Sequence, residues 1–367
     1  MRFLFVSTDL IAGNLANLLV REGHEVKLFV EERDRRKNFL GMVEQTEDWK
    51  NELPWVGKDG VIVFDDSGYG KEQEMLRDAG FSVFGGSVGG DELEFEREFA
   101  QNIFKNHGLD IVPSKDFPSI KDAIQFIKGN PDYWVIKQNN HAPKSMNYVG
   151  QDQNGFDVIS VLESYLSNDL LKKEKVTLQK RVFGVEIGVG RYFNGQDWIG
   201  PIEYNVEHKK FLAGDLGPTT SEMGTIAWYD DDEENTLYKR VVAPFKEYLQ
   251  KINFRGDFEI NCIVNDKEVV PLEATPRFGS PIVHLHSEIH TSPWGELLSA
   301  VARGESYDLK WKKGFGIVIL MALPPFPYQK KSSEHDYRGI HIDFSQVKEE
   351  EMSHIHFEEI SKDEKGY

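Results

Sequence analysis

The residues with the most chemical potential lie between Arg255 and Pro281, RGDFEINCIVNDKEVVPLEATPRFGSP. Phe258 to Val264 and Glu268 to Ala274 are two apolar runs, and Asn265-Asp266-Lys267 between them supplies a turn, which predicts a β-hairpin. Folding there sets Glu259 roughly opposite Glu273. Two carboxylates held side by side on rigid strands repel, and a shared proton or a hard divalent cation such as Mg²⁺ relieves the repulsion. Arg277 follows in a Pro/Gly-rich turn, where a fixed guanidinium can fork onto a carboxylate. Acids, a cation and an anion clamp so close together suggest a phosphate-handling site.

Other stretches fit that chemistry. Lys137 ends the hydrophobic run YWVIK and faces a loop holding Lys144. An ammonium at a buried strand end either snorkels to solvent or takes an anionic partner such as a phosphate. Gln179-Lys180-Arg181-Val182 follows a strand and precedes Glu186. Such a linker can offer backbone amides to a base edge and a carboxylate to a ribose. From Asn205 to Gly224 the chain is polar, with glycine, proline, hydroxyls and acids but no apolar period, and reads as a long loop, of a length that in compact domains is usually functional or disordered. His284, His286 and His290 lack the spacing of a zinc set and read more simply as helix-side or substrate-lining groups.

The elements that position these residues follow from periodicity. Residues 1 to about 90 alternate strand and helix: Phe3 to Ser7, a helix Leu10 to Arg21, Glu25 to Val30, Gly60 to Asp65, a helix Lys71 to Ala79, then Ser82 to Phe84. This is βαβ grammar and implies a parallel sheet. The first loop, Ser7 to Gly13, lacks the spaced glycines of a dinucleotide fingerprint, which argues against a nicotinamide oxidoreductase. Asp230 to Glu234 opens a helix through Ile252, with a kink at Pro244. With 367 residues the chain is too long for one ordinary core and is expected to hold two or three domains. A net charge of -18 argues against nonspecific nucleic-acid binding. No segment reads as a signal peptide or a membrane span, and the single Cys262 fits a reducing, cytoplasmic setting.

In order, several of these motifs resemble phosphoribosylamine–glycine ligase, a member of the ATP-grasp superfamily. The family's DHKR…DTGPNTGGMG is echoed by Glu207-His208-Lys209-Lys210 and Asp215 to Gly224, and its ExNxRFGDPE by Glu273 to Ile282. Phe84 to Ser87 with Leu93-Glu94, Val135-Ile136-Lys137 and VVAPFKEYL complete the match. The resemblance implies an α/β (α+β) fold: a Rossmann-like domain at 1–91, an ATP-grasp domain at 92–305 with a small lid part at about 115–182, and a short β-containing domain at 306–367. It also implies ATP with Mg²⁺ or Mn²⁺, small carboxylate and amine substrates, and a monomer or homodimer. Carried over, Arg97, Lys137 and Lys144 hold ATP phosphates, Gln179, Lys180, Arg181 and Val182 form the adenine hinge, and Glu186 meets the ribose. Glu259, Glu273 and Thr275 hold the metal, with Thr275 in place of an asparagine. Arg277 clamps a carboxylate, while His208, Lys209, Asp215, Thr219 and Thr220 line the acceptor pocket; Lys144, Asp215 and Arg277 are the catalytic group.

The sequence also departs from the family. Its lid, Asn140 to Ser145, is almost free of glycine; Ser221 and Glu222 replace two glycines; the N-terminal GxGGREH is missing; and the C-terminal region is short. The implied activity is ATP-dependent joining of a carboxylate to an amine through an acyl phosphate. The alternative is a catalytically reduced paralogue that binds nucleotide or serves as a scaffold.

Overall fold

A computed structural model describes residues 1–137, 147–167, 176–324, 326–327 and 339–367. The chain forms two compact units. Residues 1–94, 187–261 and 273–367 make the first, and residues 95–186 with 262–272 the second.

The first unit opens with a five-stranded sheet of β1 (Arg2–Ser7), β2 (Glu25–Val30), β3 (Glu44–Gln45), β4 (Val61–Phe64) and β5 (Ser82–Phe84), in the order β3-β2-β1-β4-β5. Every pairing is parallel, as the βαβ pattern predicts. Both faces of β1 and β4 are buried, which is why their sequences are continuously apolar.

The first helix starts later than its sequence suggests, at Gly13 rather than Leu10. Leu10 takes a positive φ of 65° and its N–H donates to Ser7 Oγ at 2.7 Å. Ala12 N–H, at the helix start, donates to Asp65 Oδ2 at 2.8 Å. Asp65 is fully buried, and burial, with Asp66 next to it, lifts its carboxyl to about 7. An exposed aspartate releases its proton near pH ~4. Between those values the folded chain binds more protons than the unfolded chain, so this residue makes stability fall as pH rises from about 4 to about 7. The change is at most about 4 kcal/mol. Urea unfolding at pH 5 and pH 8 should show a flatter pH response for Asp65→Asn, which keeps the acceptor for Ala12. Equal pH responses in the two proteins would refute this origin.

The second unit holds β6 (Ser114–Phe117), β7 (Trp134–Lys137), β8 (Tyr148–Val149) and β9 (Val176–Lys180), ordered β6-β9-β7-β8. Its core is Phe117, Ile120, Ile127, Trp134, Ile136, Val158, Leu162 and Leu178, which pack the helices Ile120–Gly129 and Phe156–Leu166 on the sheet.

A third, mainly antiparallel sheet contains β10 (Val185–Asn194), β11 (Trp198–Leu212), β12 (Leu216–Asp230), β13 (Arg255–Val264), β14 (Val269–Thr275) and β15 (Phe315–Ile319). Its order is β14-β13-β10-β11-β12-β15. The β13–β14 hairpin forms as predicted, with Asn265 N–H donating to Glu268 O at 3.1 Å. The stretch 205–224 does not: it is two arms of a long hairpin, not a loop, with Asp215 at the tip in a positive φ of 58°. Its pattern misleads because the inward face of this hairpin is itself polar. The helix through Pro244 is broken there into Thr236–Val241 and Lys246–Lys251, joined by a tight turn, since proline removes a helical donor. Ile340 to Phe344 and Ile355 to Phe357, strand-like in sequence, form no strand; Phe344, Phe357 and Tyr367 pack ring on ring instead.

Candidate functional site

Strands β13, β10 and β11 are neighbours in the third sheet. The two-residue period of a strand places Asp257, Glu259 and Asn261 on one face of β13, and Glu203, Asn205 and Glu207 on one face of β11. Between them β10 offers Gly188 and Gly190. A Cβ at Gly188 would collide with the Asn205 amide, and one at Gly190 would press on the Glu259 stem. With no side chains in the way, the outer two strands meet over β10. Asn205 Nδ2 donates to Glu203 Oε1 at 2.9 Å and to Glu259 Oε2, and Asn261 Nδ2 donates to Glu207 Oε1 at 3.2 Å.

The result is a face crowded with acids. Burial, then Glu203, Glu207, Asp257 and Glu222, push the Glu259 carboxyl well above the usual range. Burial likewise raises Asp257 to about 7, although His286 opposes the shift. Two cations answer part of this charge. His286 Nε2 forms a short hydrogen bond with Glu203 Oε2, and its Nδ1 lies 3.2 Å from Tyr192 OH. Burial alone would lower His286, but the charge and hydrogen bond of Glu203 raise it, and His286 in turn holds Glu203 low against its own burial. Lys209 Nζ stands 2.8 Å from Glu207 Oε2 and 3.9 Å from Glu273 Oε1.

The expected residues distribute over both units. In the first, Glu273 is well exposed beside Lys209, Thr275 is partly buried at the end of β14, and Glu259 turns toward Asn205. Arg277 is already engaged: Nε and Nη2 donate to Glu94 Oε1 at 3.1 and 2.9 Å, Nη1 donates to Phe278 O at 2.7 Å, and Asp66 lies 3.5 Å away. His208 is 3.9 Å from Asp215 at the exposed hairpin tip; Thr219 pairs with Lys210, and Thr220 Oγ1 donates to Lys209 O at 2.9 Å.

In the second unit, Lys137 ends β7, Gln179 is buried in β9, and Lys180 pairs with Asp132 at 2.6 Å. Arg181 donates to Gly150 O at 2.8 Å and Gln151 Oε1 at 2.6 Å. Val182 lies in the link to β10, where Glu186 is the second residue, and Arg97 opens the helix Arg97–Asn106. Lys144 lies outside the described residues. The three histidines diverge in their partners: His284 faces Glu358, His286 faces Glu203, and His290 meets Tyr229 OH.

Sequence reasoning missed Glu203, Asn205 and Asp257, and it singled out His286 as a helix-side or substrate-lining group without its partner Glu203. The usable signal was polar residues at every second position, 203, 205 and 207 against 257, 259 and 261, flanking a strand with glycines at 188 and 190.

The donors fit a hard cation. Glu259 is a carboxylate under strong like-charge stress, and Oδ1 of Asn205, whose Nδ2 donates to Glu259, is buried without a partner among the described residues. Among those residues no group of three or more His, Cys, Asp or Glu makes a metal cage. Two acids and a hydroxyl suit Mg²⁺, which commonly takes only one or two carboxylates and fills its shell with phosphate oxygens and water.

Comparison with known proteins agrees with this fold. Residues 95–282 match the family model described as phosphoribosylglycinamide synthetase, ATP-grasp (A) domain, so the chain belongs to that ATP-grasp family. It is 20% identical over 274 residues to the phosphoribosylamine–glycine ligase of Clostridium acetobutylicum, a match covering 72% of this chain and 65% of the relative. The chain thus spans slightly less than two thirds of that relative's length. Its fold resembles the crystal structure of phosphoribosylamine–glycine ligase from Thermotoga maritima, with a TM-score of 0.64, 18% identity, and 89% of this chain and 82% of that one covered. It also resembles the biotin carboxylase domain of the Hydrogenobacter thermophilus 2-oxoglutarate carboxylase, crystallised with MgADP and bicarbonate, at a TM-score of 0.58, 11% identity and coverage of 86% and 73%. Among the described residues no helix is long and apolar enough to cross a membrane.

Proposed function

We propose that this protein is an ATP- and Mg²⁺-dependent ligase that joins a small carboxylate, such as an amino acid, to an amine. The observation that carries the reading is the acid face of Glu203, Glu207 and Glu259, built over paired glycines in a chain of the ATP-grasp family. In the proposed reaction a carboxylate oxygen attacks the γ-phosphorus of ATP and ADP leaves. The amine nitrogen then attacks the acyl carbon of the acyl phosphate, phosphate leaves, and the nitrogen gives up a proton. A divalent ion held by Glu259, Glu273 and Thr275 would supply charge neutralisation at the transferring phosphoryl group. Lys137 would bind phosphate, Gln179 to Val182 the base and Glu186 the ribose, with Lys144 and Arg97 as further phosphate cations. His208, Lys209, Asp215, Thr219 and Thr220 would line the acceptor side. No side-chain nucleophile is needed, so positioning contributes most of the acceleration.

The test is to mix the full chain with Mg·ATP and a panel of amino acids and amines. ADP should appear only when one acid and one amine are both present, with a product whose mass is their sum less water. Glu259→Gln should lower kcat by about a hundredfold. A second reading, a nucleotide-binding paralogue without turnover, draws on the Arg277 fork being held by Glu94. ATP binding with no ADP from any pair would establish that reading over the first.

A further inference from the structure

β12 departs from regular pairing where it passes Lys209. Gly224 is opposite His208 and Thr219 opposite Lys210, so Thr220 to Met223 stand against one residue. Such bulges re-aim side chains, often beside active sites. Here the bulge turns Glu222 inward: the residue is 8% exposed, and its Oε1 has no hydrogen-bond partner among the described residues. Thr225, directly across from Glu207, and Asn261, bonded to Glu207, also keep a buried oxygen without a partner, Oγ1 and Oδ1 respectively.

Matching acids with cations isolates the same residue. Glu203 has His286, Glu207 has Lys209, and Glu259 and Glu273 are assigned above to the divalent ion. Glu222 and Asp257 are left without an ion-pair partner among the described residues, and of the two only Glu222 has a side-chain oxygen that is buried and unpartnered. Its electrostatic neighbours are mostly other acids, Glu207, Glu203 and Glu358, against Lys209. A buried carboxylate in that setting calls for a positive hydrogen-bond donor, and the two spare oxygens nearby accept hydrogen bonds as well.

We infer that Glu222, with the spare oxygens of Thr225 and Asn261, forms a subsite for the ammonium nitrogen of the amine substrate, so that the acceptor is a primary alkylamine rather than an anionic compound. An –NH₃⁺ group has three donors and no acceptor, which suits one carboxylate and two neutral oxygens; before its nitrogen attacks the acyl carbon it passes one proton to the Glu222 carboxylate. This assignment deepens the ligase reading and rests on it for the word substrate, but the subsite is measurable without turnover.

The experiment is calorimetric binding of 1,4-diaminobutane, 1,4-butanediol and succinate to the nucleotide-free full chain and to Glu222→Gln. The diamine should bind wild type at least about tenfold more tightly than the diol, succinate should not bind, and Glu222→Gln should lose about tenfold for the diamine alone. A diol that binds as well as the diamine overturns the subsite, as does unchanged diamine affinity in Glu222→Gln. MgCl₂ binding that excludes the diamine and vanishes in Glu222→Gln also overturns it, because the acid then serves the ion. The selectivity of wild type decides the matter even if the variant does not fold. Diamine binding without ADP release would sink the ligase reading and leave the subsite; acid- and amine-dependent ADP release without diamine binding would sink the subsite only.

Discussion

Replacing His286 with alanine should destabilise the protein by about 3–5 kcal/mol, the range for breaking a buried ion pair by removing one partner. The His286 and Glu203 side chains are 1% and 5% exposed, so water cannot replace the lost imidazolium. Glu203 would be left beside Glu259 and Asp257, both of which it already pushes upward. Urea unfolding at pH 6 measures the loss, and a double-mutant cycle with Glu203→Gln separates the pair from its packing. Glu203→Gln combined with His286→Gln should cost less than the single alanine change, since neither member is then left charged. The pH dependence has a definite sign. His286 is raised in the folded chain, so its stabilisation is complete below the unfolded value near ~6.5 and fades as pH rises through the folded value. A loss below about 1 kcal/mol for His286→Ala would show that the pair does not hold this face together.

Arg277 carries the second large effect. Its guanidinium is bound by Glu94 and faces Asp66, and burial of the trio leaves each side chain about one fifth exposed. Burial would lower Arg277, yet Glu94 and Asp66 raise it, while Asp66 still stands at about 6 because burial outweighs the arginine. Arg277→Met should therefore cost about 3 kcal/mol, the low end for a buried pair because of the partial exposure. Lysine should rescue little, since it lacks the planar fork that reaches Glu94 and Phe278 O together. The kinetic consequence separates two roles. If Arg277 also holds the substrate carboxylate, Glu94→Gln loosens its competitor and lowers KM for the acid. If it is purely a structural clamp, Glu94→Gln reduces stability and leaves KM unchanged. Thermal unfolding and acid-saturation curves on the same variants distinguish the two.

Much of the architecture was legible in the chain itself. Runs such as FLFV and VIVF announce buried strands, and their alternation with helices dictates a parallel sheet because both faces must be covered. The β13–β14 hairpin, the break at Pro244 and the family motifs are local, written in turn residues, proline and short patterns. The first helix start was not local, because its donor at Ala12 is satisfied by Asp65, far along the sequence. The hairpin arms β11 and β12 looked like a loop for a related reason. Amphipathic reasoning assumes that a strand turns its apolar side inward, and here the inward side carries Glu203, Asn205 and Glu207.

The amino-acid sequence by itself therefore determined most of the elements, the family and the presence of acids with an arginine in one short stretch, since these depend on neighbours within a few residues. Only the tertiary structure decided which charges meet. It brought Glu259 to Asn205 across two glycines, gave His286 to Glu203, engaged Arg277 with Glu94, and used a bulge to turn Glu222 inward, its Oε1 without a hydrogen-bond partner among the described residues. Electrostatic energy depends on through-space distance and on exclusion of water, and neither quantity is encoded in the spacing of residues along the chain.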